Sequence, residues 1–268
     1  MKTYIQAVLV LGLLSCSKPE KTSVKNVQNN DVRQVQPDLF KHDSIMVEDS
    51  LKVDENLTFS FKSSILVFPN ISNKKLLDSI YAKEQIKLSE YSAENLLKEL
   101  NSQKDKYFSD SKESLKEWKP DFKQTWNQNS AMKLFSKIND IMTIQYSGDG
   151  YTGGAHGYYY EFYKVFDAKN NITLQLSDVV QNRDPKIWSK ILMDNYLSSE
   201  SGHAQPNMLL VKEIPLTKNF YFDTKNLYFL YNEYEIAAYA SGPVLLKVPF
   251  SGIKEMLNPD FKSKMNIQ

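Results

Sequence analysis

From Phe122 onward, apolar residues recur at every second position. In Ile141–Ser147 (IMTIQYS), Met142, Ile144 and Tyr146 fall on one side and Thr143, Gln145 and Ser147 on the other. That alternation predicts a half-buried strand. Tyr158–Phe166 reads as a second strand, and Ala168–Asn171 (AKNN) as a turn into ITLQLSDVV. Further strands are predicted at 219–222, 227–231 and 243–250, the last with Val244, Leu246, Val248 and Phe250 on one side. Upstream, 57–70 (LTFSFKSSILVFPN) is rich in β-branched and aromatic residues and ends at Pro69, which predicts a strand or two. Asn73 is placed to cap a helix carrying Leu76, Leu77, Ile80, Tyr81 and Glu84, and a second helix holds Leu96, Leu97 and Leu100. Lys104–Pro120 is charged and weakly periodic, read as a helix end plus loop. Asp184-Pro185 opens another helix, with Asp as cap and Pro at the first turn. Strands in runs, with helices grouped before and between them, predict an α+β fold. Its sheets are mostly antiparallel and packed with helices, in one globular region with two subdomains as the open alternative.

The first residues carry a different pattern. Lys2 precedes an apolar run, Tyr4–Leu14, too short to span a membrane and suited to an export signal. It ends in Leu13-Leu14-Ser15-Cys16, which resembles a bacterial lipobox. The resemblance implies cleavage after residue 15 and lipid on Cys16, the only cysteine in the chain. A lone cysteine has no internal disulfide to make, so anchoring is its expected role. Polar, irregular sequence follows to about Asn56. The expected organisation is a signal peptide over 1–15, a lipid anchor and polar tether over 16–56, an N-terminal part of strands and helices over 57–130, and a C-terminal part over 131–268.

Composition narrows the function. The 268 residues carry 33 Lys+Arg against 32 Asp+Glu, without the basic excess of a nucleic-acid binder. No nucleic-acid partner and no cofactor is expected.

The most distinctive stretch is Gly148–Tyr163, GDGYTGGAHGYYYEFY. Its Gly148-x-Gly150-x-x-Gly153 spacing matches a dinucleotide fingerprint, but that motif needs a helix after the glycines and a strand-like run follows. His156 has no His or Cys partner at metal-ligand spacing; His42 lies in the tether and His203 after a helix. No Gly-x-Ser-x-Gly elbow is present. What remains is a glycine-rich connection flanked by aromatics. Tyr158, Tyr160 and Phe162 are read as core, and Tyr151, Thr152, Gly153, Gly154 and His156 as an exposed recognition loop.

Tyr151–Gly157 (YTGGAHG), the strand, turn and LQLSDVV after it, and Leu227–Gly242 (LYFLYNEYEIAAYASG) resemble a family of bacterial extracytoplasmic domains of unassigned function. FSFKSSILVFPNIS and its following helix resemble that family's N-terminal half, so the likeness spans about 57–257. Such domains occur in a lysozyme-sensing anti-sigma factor and in the non-catalytic N-terminal part of some peptidoglycan deacetylases. This chain offers neither a transmembrane helix nor a sigma-binding segment, and it ends near Met265 without a deacetylase catalytic domain. The resemblance therefore implies binding at the cell envelope, facing the periplasm or the cell surface, of a lysozyme-type muramidase or of peptidoglycan. The expected ligand-binding residues are Tyr151, Thr152, Gly153, Gly154 and His156, with Tyr234, Glu235 and Tyr239 as a second patch. No catalytic or metal-ligating residue is assigned. Two alternatives stand beside this reading: an envelope hydrolase or metal-dependent enzyme using His156, and a structural envelope lipoprotein.

Overall fold

The computed structural model describes residues 38–116, 120–198 and 208–267. Cys16, the lipobox and His203 lie outside the described residues. The centre is a six-stranded sheet in the order β1 (Asp43–Lys52), β2 (Leu57–Val67), β3 (Gln124–Ile138), β4 (Ile141–Tyr151), β5 (Tyr158–Asp167) and β6 (Ile172–Leu174). Every pair is antiparallel except β2 and β3, which run parallel. Parallel neighbours need a crossover. Here α1 (Lys74–Tyr81) and α2 (Ala93–Ser114) supply it.

One expectation is corrected here. The tether does not reach Asn56, because Asp43–Lys52 pairs along its whole length with β2. Its sequence, DSIMVEDSLK, buries only Val47, so an edge strand with one inward residue shows no apolar period to read. Lys104–Pro120 opens, as expected, on a helix end, with α2 running to Ser114 before the chain turns. Leu96, Leu100, Tyr107 and Ser111 continue its buried stripe, and Lys106 pairs with Asp110 one turn on at 2.5 Å.

The expected caps form. Asn73 accepts from Leu76 N–H at 3.0 Å, and Asp184 accepts from Lys186 N–H at 2.9 Å and Ile187 N–H at 3.2 Å. The short helix α3 (Leu176–Val179) precedes α4 (Pro185–Ser198), and α5 (Pro259–Met265) closes the chain. A three-stranded antiparallel sheet, β7 (Phe220–Phe222), β8 (Asn226–Tyr231) and β9 (Val244–Pro249), forms a second layer.

Two cores result. Met142, Ile144, Tyr146 and Phe166 face α1 and α2. Ile141, Tyr163 and Val165, on the opposite side of the same strands, pack with Trp188, Phe229 and Leu246 of the second layer. Buried Asp167 at the end of β5 pairs with Lys264 of α5. Burial alone would raise its carboxyl, but Lys264 and Asn170 hold it below the usual value.

The edge of β5 is finished by side chains. Asn219 Oδ1 accepts from Tyr163 N–H and its Nδ2 donates to Glu161 O, both at 2.8 Å. Asn232 Oδ1 accepts from Glu161 N–H at 2.8 Å, and its Nδ2 donates to the same carbonyl at 3.2 Å. Two buried asparagines thus make the bonds a neighbouring strand would make.

Candidate binding site

Gly148 and Gly150 are not part of a loop. They lie in β4 directly opposite Tyr160 and Tyr158, and each tyrosine is laid across its glycine. A Cβ on Gly148 would collide with the Tyr160 hydroxyl and ring. One on Gly150 would sit 2.6 Å from the Tyr158 ring and 2.7 Å from Asn127 O. Glycine here makes room for an aromatic ring on the neighbouring strand.

The rings of Tyr158 and Tyr160 lie 6.4 Å apart, with planes 4° from parallel. Phe162 continues the row 5.8 Å beyond. These residues were expected in the core; instead Tyr158 is 45% exposed, and Tyr160 and Phe162 are half-buried. They stay open because α2 packs mainly over β1 and β2. A groove of about 720 Å³ opens between α2 and the tyrosine row. Trp126, Gln128 and Ser130 of β3 line it beside Tyr158 and Tyr160, with Gln103 and Tyr107 of α2 facing them.

Glu84 forms one wall. It follows α1 in a 3-10 turn that Gln85 ends in a left-handed conformation, φ 59°. Gln103 Nε2 donates to the Glu84 carbonyl at 3.0 Å, fixing the turn to α2. Burial pushes the Glu84 carboxyl up to about 7, against the opposing effect of a hydrogen bond from Ser130. Near neutral pH it offers both an O–H donor and an acceptor to a ligand. The helical stripe in the sequence includes Glu84, but its chemistry comes from β3 and α2 closing over it, which no local pattern shows.

The recognition loop is shorter than expected, since β4 extends to Tyr151 and β5 starts at Tyr158. Thr152, Gly154 and His156 are exposed, and Gly153 takes φ 90°. His156 Nδ1 lies 2.7 Å from Gly157 O. A carbonyl only accepts, so Nδ1 carries the proton and Nε2 faces away from this bond. The loop and the second patch, 78 or more residues apart in sequence, meet: His156 stacks on Tyr239 at 4.3 Å and 30°, and Tyr234 lies 5.9 Å from Tyr239.

Tyr234 is 58% exposed and has φ 64°, an uncommon backbone state for a large residue. The turn that holds it is closed by Asn232 N–H donating to Glu235 Oε2 at 2.9 Å and Tyr234 N–H to Ala237 O at 3.1 Å. Glu235 thus shapes the turn. Thr152 lines the groove as well as the loop, so groove and loop are continuous. Tyr151 is half-buried against the first core.

Behind the groove, on the opposite sheet face, Glu161 accepts from the hydroxyls of Tyr159 (2.6 Å) and Tyr163. Asp149 accepts from Asn129 at 2.8 Å and Asn127 at 3.2 Å. Among the described residues, no group of three or more His, Cys, Asp or Glu side chains is placed to hold a metal ion. No described helix is long and apolar enough to cross a membrane.

Fold and site together define a two-part α+β domain built to present a groove and an aromatic loop. Residues 52–159 match the family described as Deacetylase PdaC, and residues 169–251 match the one described as Protein of unknown function (DUF3298). The two matches lie side by side over the segment whose motifs carry the resemblance, each covering less than half of the chain. A crystal structure of a DUF3298 family member from Bacteroides fragilis aligns with a TM-score of 0.65 at 21% identity, covering 85% of this chain and 98% of that one. A DUF3298 family protein from Pseudomonas aeruginosa aligns at 0.55 and 16% identity, covering 84% and 97%. At these identities the likeness is one of fold. No curated protein matches the chain.

Proposed function

We propose that this chain is a lipid-anchored recognition protein of the bacterial cell envelope, and that its groove binds a glycan of the peptidoglycan type without catalysis. The observation that carries this reading is the parallel pair of open tyrosine rings, bedded on Gly148 and Gly150 and walled by Glu84, Gln103, Gln128 and Ser130. Pyranose rings have one apolar C–H face that stacks on such a platform, while their hydroxyl and acetamido groups need the polar walls. Most of the groove lies inside 52–159, the segment that matches a family named for a deacetylase.

A specific observation favours a second ligand, a cationic muramidase. Asp149, Glu161 and Glu233 all act on Tyr159, after burial, to raise its hydroxyl. These acids therefore cluster behind the aromatic loop, complementary to a basic protein.

Calorimetric titration of the full chain with muropeptides and, separately, with a c-type lysozyme tests both. For the glycan reading, Tyr160→Ala is expected to weaken muropeptide binding roughly ten-fold while the protein stays folded. Undiminished affinity in that folded variant removes the groove as the site. Lysozyme binding that His156→Ala abolishes and Tyr160→Ala leaves intact would move recognition to the loop.

A further inference from the structure

Strand β6 pairs with β5 only over Val165–Asp167. Beyond it the edge of β5 has no strand neighbour, and a cavity of about 360 Å³ opens there. Ser79 of α1, Lys83, Lys164 of β5 and Thr173 of β6 line it, with Asn219 and Phe220 opposite. This volume suits a small organic molecule.

The donors in this cavity outnumber their acceptors. Lys164 Nζ donates to the carbonyl of Ser79 and to Ser79 Oγ, the latter at 3.0 Å. Thr173 Oγ1 donates to the same Oγ at 2.7 Å. Ser79 Oγ thus accepts twice, and its own O–H is a further donor on the cavity wall. Lys164 keeps one further N–H. Lys83 Nζ stands 3.5 Å over the Phe162 ring on the same wall.

Charge points the same way. Lys83, Lys164 and Lys218 face the cavity against one carboxylate, Glu235. The electrostatic partner of Lys83 is Glu235. Lys164 forms no ion pair among the described residues. Burial, then the charge of Lys83, lowers its amine to about 8. A partly buried ammonium beside a second cation is completed by an anion. Phe162, Leu174, Leu176 and Phe220 make the rest of the wall apolar.

We infer that this cavity is a binding site for an organic carboxylate, whose oxygens take hydrogen bonds from Lys164, Ser79 and Lys83 while a short apolar chain lies against Phe162 and Phe220. The cavity shares Lys83 with the tyrosine groove, but the assignment does not depend on the glycan reading.

The full chain with isotope-labelled lysine would be titrated by NMR with four probes: hexanoate, N-acetyl-alanyl-alanine, the carboxamide of that dipeptide, and inorganic phosphate. A saturable shift of the Lys164 and Lys83 side-chain signals is expected with one or both acids and not with the amide. A response confined to hexanoate identifies an apolar acid; a response to the dipeptide identifies a peptide terminus. On saturation the Lys164 amine should titrate at higher pH, because the bound anion favours its charged form over the opposing charges of Lys83 and Lys218. Lys164→Met is expected to weaken binding about thirty-fold, the loss of one charge-assisted hydrogen bond. Lys83→Gln should weaken it less. If Lys164→Met does not fold, Lys83→Gln and the wild-type titration decide. Equal response to acid and amide, saturation by phosphate but by neither acid, or unchanged affinity in a folded Lys164→Met would each overturn the assignment.

Discussion

The two faces of strand β5 alternate identically in sequence and end in opposite environments. Toward the second layer, Tyr163 and Val165 are buried, and Glu161 is held by two tyrosine hydroxyls. Toward the helices, Tyr158 and Tyr160 line an open groove, and Phe162 continues their row. The difference lies in what covers each face. A sheet with aromatic residues of its own fills the space over one, with Tyr163 and Tyr221 4.3 Å apart. Over the other, α2 sits mainly on β1 and β2 and α1 meets β4 and β5 at Tyr146 and Lys164, so Tyr158 is left open. The open tyrosine row is thus a sheet face of core-type residues that α2 does not cover.

The covered face is the one that breaks most readily. Asn219→Ala leaves Tyr163 N–H without its acceptor and removes a donor from Glu161 O, both at a buried edge. The expected loss is about 1–3 kcal/mol, because Tyr163 N–H is orphaned while Glu161 O keeps its bond from Asn232. Denaturant titration would measure it. Asn232→Ala similarly orphans Glu161 N–H, and because the two asparagines share the Glu161 carbonyl, the double variant should cost more than the sum of the singles. Full additivity would mean that the side chains do not act as one edge.

The open face carries a pH signature instead. Glu84 titrates at about 7 in the folded chain against 4.5 for the ordinary carboxyl. The folded state therefore holds more protons than the unfolded state between those values, and the Glu84 contribution to stability falls as pH rises from about 4.5 to about 7. Its full size is of order 3 kcal/mol. Thermal melts at pH 5 and pH 8 should show it, and Glu84→Gln should flatten the difference. An unaltered pH dependence in the variant would place the carboxyl in water.

The sequence pattern legibly gave the period-two strands, the Asn73 and Asp184 caps, and the α+β class, since each rests on local chemistry. The meeting of His156 with Tyr239 was half legible: both patches are visible as motifs, but only the docking of Asn232, just after β8, on Glu161 of β5 brings them together. Strand β1 was not legible, because an edge strand with Val47 as its single buried residue has no pattern. Nor was the exposure of Tyr160. Alternation states that two faces differ, and it is the long-range placement of α2 that decides which one water reaches. Asn219 and Asn232 look like ordinary turn residues until the unpaired edge of β5 is seen beside them.

The glycines give the sharpest test of the open face. Gly148→Ala should displace the Tyr160 ring at a cost of about 1–2 kcal/mol, as overpacking does, and should weaken any ligand that uses the groove. Gly154→Ala lies only a few residues on in the same motif, yet a Cβ there meets nothing nearer than His156 O at 3.9 Å. Its φ is not in the left-handed region, unlike that of Gly153. Its effect should stay within about 0.5 kcal/mol, as for surface positions. Paired melts of the two variants separate two uses of glycine within seven residues: one makes room for a ring, and the other merely occupies a turn. Equal destabilisation by both would mean that the motif acts as a rigid loop, and that the tyrosine platform does not depend on the strand beneath it.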